Sequence, residues 1–133
     1  MKYQKVCYKY RLYEDHETTT EIKGIDCETD FIRLYADGRL IVKKNFCWDG
    51  CSGPTKDDST NMIPGLEHDA KYQLMRLGLI PQSWRHIADL ELQRGCRARG
   101  MSKFRAWYYF NGVDHFAAYA ARYGSEPKIL TVA

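Results

Sequence analysis

Three residue types that move protons or hold cations stand close together in this chain: His68, Asp69 and Tyr72, followed further on by Asp89. Imidazole titrates near neutral pH, so His68 is suited to take a proton from water and return it to a leaving group. A carboxylate facing the second ring nitrogen would fix the tautomer and stabilise the imidazolium, as the acid of a catalytic triad does. At about 100° per residue, Ile63, Leu66, Ala70, Leu74 and Leu77 share one helical stripe, and His68, Tyr72 and Met75 fall roughly opposite. A helix that is semi-apolar on both faces is expected to be covered on both, which sets His68 in a cleft. On the next helix Asp89 shares a stripe with Arg85, Leu92 and Cys96. An acid among apolar neighbours wants a partner, because an unpaired buried charge is costly. His68 supplies one and Arg85, four residues away, supplies another. The pattern leaves both pairings open.

The elements that must position these groups follow from the pattern around them. Pro64 suits an early helical position and Gly78 an exit, so the first helix is expected over Ile63–Leu77. Pro81 blocks continuation, and Ser83 offers an N-cap for a second helix over Trp84–Arg97. The short connection implies antiparallel neighbours. Ser102 caps an expected third helix, aromatic in character, to about Tyr123. Upstream the pattern is that of strands. Val6, Tyr8, Tyr10 and Leu12 alternate with Cys7, Lys9 and Arg11, and Thr18–Ile22 is β-prone. Phe31–Lys44 reads as a hairpin turning at Ala36-Asp37-Gly38-Arg39. The expected class is α+β, in one domain over 1–133. Residues 1–47 are mainly β, 48–61 a loop, 62–123 mainly α, and 124–133 a tail.

The chain has 133 residues, 44% of them hydrophobic and 28% charged, enough for one core. A net charge of +3 is too small to argue for nucleic acid by itself. No run of apolar residues is long enough for a membrane span, and the N-terminal Met1-Lys2-Tyr3-Gln4-Lys5 does not lead into a secretory signal. The five cysteines, Cys7, Cys27, Cys47, Cys51 and Cys96, follow no disulfide spacing and are expected to be free thiols. Cys47 and Cys51 lack the second pair that a zinc site needs.

The stretch from Phe46 to about Tyr123 resembles an uncharacterised family of tailed-phage and prophage proteins. The resemblance lies in Trp48-Asp49-Gly50-Cys51-Ser52-Gly53-Pro54-Thr55, Leu66-Glu67-His68-Asp69-Ala70-Lys71-Tyr72-Gln73-Leu74, Ala88-Asp89 and Gly100-Met101-Ser102-Lys103-Phe104-Arg105-Ala106-Trp107-Tyr108. It carries no activity of its own and implies a phage or host protein as partner; with no secretory signal, residence in the host cytoplasm or the phage particle is expected. The same residues are similar to a phospholipase A2 core of the short viral-capsid type. That group has a glycine-bearing calcium loop, then His-Asp-x-x-Tyr on one helix, then an Asp on its antiparallel partner. The similarity implies a helical core of that type. It implies that His68 is the base, Asp89 its orienting acid, and Tyr72 the hydroxyl holding Asp89. Asp69 would bind Ca²⁺ together with carbonyls of the Trp48, Gly50 and Gly53 loop, and the substrate would be a phospholipid at a membrane surface. Asp49, Asp57 and Asp58 are further candidate ligands. The loop has fewer glycines than the secreted enzymes, their paired cysteines are absent, and the N-terminal sheet region has no counterpart in the minimal enzyme. The alternative is a phage accessory or assembly protein that keeps the fold without the activity.

Competing patterns are weaker. His86 and His115 lack the contexts that a His-Asp metal phosphohydrolase requires. Arg94, Arg97, Arg99, Lys103 and Arg105 lie beside Phe104, Trp107, Tyr108, Tyr109 and Phe110. The expectation is a helix with its rings packed inward and a solvated basic rim. The functional alternatives are an interfacial lipid surface and, less favoured, single-stranded nucleic acid.

Overall fold

The structure is a computed structural model of the whole chain, and it describes residues 2–4, 10–48, 58–116 and 129–131. Strands and helices segregate along the chain, as an α+β protein requires. The strands are β1 (Lys2–Gln4), β2 (Tyr10–Arg11), β3 (His16–Thr19), β4 (Cys27–Glu28), β5 (Ile32–Leu34), β6 (Arg39–Val42) and β7 (Cys47–Trp48). Helices α1 (Met62–Arg76), α2 (Arg85–Ala98) and α3 (Lys103–Phe116) follow, and then β8 (Ile129–Thr131). All pairings among the described residues are antiparallel. The largest sheet has the order β3-β6-β5-β4, and β1 with β8 and β2 with β7 form separate ladders.

The expected hairpin is present, with Ile32 opposite Val42 and Leu34 opposite Leu40. These four side chains are buried, while the intervening Arg33 and Ile41 are half-buried on the other face. The two-residue period therefore decides which face of the sheet meets the helices. That inner face shares one core with Leu66, Ala70, Leu74 and Met75 of α1 and Ala88 of α2. Of the alternating strand read around Val6–Leu12, only Tyr10–Arg11 is seen as strand, and residues 5–9 lie outside the described residues.

Helix α1 ends in a Schellman turn. Leu79 N–H reaches Leu74 O at 2.9 Å and Gly78 N–H reaches Met75 O at 3.0 Å, with Gly78 at φ 75°. Asn61 stands at the other end without capping the helix by its side chain. Its amide oxygen instead accepts the Asp58 N–H at 2.9 Å. Ser102 caps α3 as expected, its hydroxyl taking the Arg105 N–H at 3.2 Å. Ser83 does not cap α2. It lies inside a 3-10 turn over Gln82–Trp84 that runs directly into the helix, so the backbone itself continues where a cap would have stood. The outer ends of the α1 stripe also differ from expectation. Ile63 and Leu77, near the two ends of the helix, are exposed. The tail at 124–133 lies mostly outside the described residues, although Ile129–Thr131 within it is strand β8.

Candidate active site

Helices α1 and α2 run antiparallel, as their contacts show: Pro64 meets Gly95 near one end, and Tyr72 meets Asp89 nearer the other. Gly95 makes this approach possible, since a Cβ there would lie 3.1 Å from Cγ of Pro64. At the centre of the pair, His68 Nε2 and Asp89 Oδ1 are 2.7 Å apart. The Tyr72 hydroxyl donates to the same Oδ1 at 2.5 Å, and its ring leans on the imidazole with centroids 4.1 Å apart. Both faces of α1 are covered, as the opposed stripes require, so His68 is 6% and Asp89 0% exposed.

The two pairings that the sequence left open coexist. Arg85 Nη1 stands 3.5 Å from Asp89 Oδ2, on the side away from His68. Oδ2 accepts no hydrogen bond among the described residues, so the guanidinium balances it as a charge across a longer gap. Asp69 lies next to the other ring nitrogen, with Oδ1 3.8 Å from His68 Nδ1 and a side chain 28% exposed. Burial alone would pull the imidazole pKa down, but the Asp69 and Asp89 carboxylates outweigh it and the net shift is upward. Burial and the Asp89 carboxylate both push the Tyr72 phenol up, so it remains a proton donor throughout the working pH range.

Asp69 suits a hard cation in its chemistry, being a partly exposed carboxylate beside the candidate base. His68, Asp69 and Asp89 lie together, but among the described residues no group of three His, Cys, Asp or Glu side chains is arranged to hold a metal ion. Trp48 ends β7 with its ring buried against Tyr10 and Phe46, at the root of the expected calcium loop. Gly50, Gly53, Asp49 and Asp57 lie outside the described residues. Asp58 is not a free ligand. Its carboxylate takes the Thr60 N–H at 2.8 Å, the Thr60 hydroxyl and the Arg105 guanidinium. Those partners, Thr60 first, hold its pKa down to about 2.

The site also contains groups that the sequence did not single out. Lys71, 3% exposed on α1, meets Glu91 of α2 at 2.9 Å. Glu91 also accepts the Thr20 hydroxyl at 2.6 Å and the Glu21 N–H at 3.1 Å from the sheet region. His16 of β3 reaches Glu67 at 2.7 Å. These pairs span 20 to 71 residues, and no local spacing rule reveals contacts of that reach. His86 meets Phe110 edge to face, and among the described residues it belongs to no metal-holding group. Cys27, Cys47 and Cys96 form no disulfide, whereas Cys7 and Cys51 lie outside the described residues.

Comparisons with protein-family models, with curated proteins and with solved structures return no match. No helix among the described residues is long and apolar enough to cross a membrane.

Proposed function

We propose that the chain is a phage-encoded, calcium-dependent lipid esterase of phospholipase A2 type. One observation carries this reading: a buried imidazole has Nε2 on an orienting carboxylate, which Tyr72 also holds, and Nδ1 beside a second carboxylate on the more exposed side. With Nε2–H donated to Asp89, Nδ1 is the basic nitrogen. It takes a proton from water while the water oxygen attacks the ester carbonyl carbon. The imidazolium then gives that proton to the departing glycerol oxygen, leaving a fatty acid and a lysolipid. Asp89 stabilises the imidazolium between the two steps, and burial keeps competing water away from the ring. Asp69 would hold Ca²⁺ with carbonyls of the Trp48–Gly53 loop. The bound ion would supply a positive charge for the developing oxyanion.

Purified protein should release fatty acid from phospholipid vesicles with Ca²⁺ and stop on chelation. His68→Ala should abolish release, since no neighbouring group can replace the base. Asp69→Asn should weaken Ca²⁺ binding in calorimetry. Equal Ca²⁺ affinity in wild type and Asp69→Asn would remove Asp69 from the metal role. An inactive wild type that still binds Ca²⁺ would favour the accessory-protein alternative. That alternative draws on the depth of burial of His68, which suits a structural ion pair as well as a base.

A further inference from the structure

Helix α3 has two apolar faces, and only one of them is used. Ala106 and Tyr109 are buried in a small core with Leu92, Cys96 and Met101. Phe104, Trp107 and Tyr108, at the i, i+3 and i+4 spacing of a single helical face, are instead 75%, 55% and 50% exposed. The expected inward packing of the aromatic helix therefore holds for Tyr109 and fails for these three rings. Phe104 and Trp107 touch each other, with centroids 6.2 Å apart, so the face is preassembled. The sequence on either side of it is locally basic, between Glu91 and Asp114. From Leu92 to Val113 there are five Lys or Arg and no Asp or Glu. Arg94 is neutralised by Glu21 and Arg105 by Asp58. Among the described residues Arg97 and Arg99 donate to the carbonyls of Met101 and Gly95, and Lys103 is exposed beside Phe104. Among the described residues no carboxylate pairs with these last three.

We infer that this face docks on an anionic lipid bilayer, with Phe104, Trp107 and Tyr108 entering the headgroup region and Arg97, Arg99 and Lys103 meeting lipid phosphates. Aromatic rings with a polar edge favour the boundary between hydrocarbon and water, and cations beside them favour a negatively charged leaflet. The inference deepens the esterase reading and rests on it for the claim that the bilayer is also the substrate.

The test is sedimentation of the full chain with vesicles of phosphatidylcholine alone or mixed equally with phosphatidylglycerol, in a calcium chelator. Partition into the anionic vesicles should be at least about tenfold stronger than into the neutral ones, and should fall with added salt. The F104S/W107S pair alters exposed positions, so its far-UV circular dichroism should match wild type while its partition falls about tenfold or more. R97Q/R99Q/K103Q should lower anionic binding to the neutral level. Equal partition by wild type and F104S/W107S would overturn the proposal. So would binding of a single-stranded oligonucleotide, lost in F104S/W107S, with no vesicle binding. His68→Ala should bind vesicles like wild type. Vesicle binding by wild type with no fatty-acid release once Ca²⁺ is supplied would defeat the esterase reading alone, and undiminished release by F104S/W107S would defeat the docking surface alone.

Discussion

Asp89 is wholly buried, and its charge is met from three directions. One oxygen takes both His68 Nε2 and the Tyr72 hydroxyl, and the other faces Arg85. A buried carboxylate with this many partners is stable only as a set, because removing one leaves the remaining charge less compensated. The set also fixes the imidazole. Asp89→Asn can offer its NH₂ to Nε2 and so favour the tautomer with the proton on Nδ1, where water should be activated. Activity should therefore drop by about three to four orders of magnitude, as in triads with the same exchange, while the circular dichroism spectrum persists. Tyr72→Phe keeps the ring packed against His68 and removes one hydrogen bond to an ionised acceptor. It should cost about 2 kcal/mol in urea denaturation and a smaller factor in rate. A rate loss for Tyr72→Phe as large as that for Asp89→Asn would mean that the hydroxyl acts on substrate directly.

At the scale of elements, the α1–α2 hairpin depends on how closely its ends approach. Gly95 sits in α2, where Ala would favour the helix by about 1 kcal/mol. The added Cβ would lie 3.1 and 3.2 Å from the Pro64 ring, which is rigid and held in the first turn of α1. Overpacking of this kind costs about 1–3 kcal/mol, so Gly95→Ala should lower stability on balance, by about 1 kcal/mol, measured as a shift in the urea midpoint. A gain would show that the helix ends can part freely. The elements that the sequence announced are those with local causes. The hairpin turns on Asp37-Gly38, α1 stops at Gly78, and Ser102 starts α3. The antiparallel pairing of α1 and α2 was legible as well, because a short connection leaves few other arrangements, although the pattern left open whether Asp89 would meet His68 or Arg85. Ser83 misled because a 3-10 turn ahead of α2 competes with side-chain capping and has no distinctive residue signal. The outward rings of α3 were hidden because aromatic content says nothing of which face has a neighbour.

Across the whole molecule, the sheet and the helical hairpin are joined by polar ties as well as by the common core. Glu91 is the centre of these ties, linking Lys71 on α1, Thr20 after β3 and the Glu21 backbone to α2. Arg94 to Glu21 and His16 to Glu67 lie to either side. Burial would raise the Glu91 pKa, but Lys71, Thr20 and the Glu21 N–H bring it below the ordinary 4.5. A depressed carboxyl pKa gives stability that is full above the unfolded value and is lost as pH falls through the folded one. Glu91→Ala should thus cost about 3 kcal/mol at neutral pH, because it strands the buried Lys71 ammonium. The gap between wild type and Glu91→Ala should narrow as the pH drops below 4.5, since wild type then protonates the same carboxylate. Urea denaturation of both proteins from pH 7 down to about 3 checks this against the two states' proton uptake. A gap that stays constant over that range would mean that Glu91 holds sheet to helices by packing and neutral hydrogen bonds, with its charge contributing nothing.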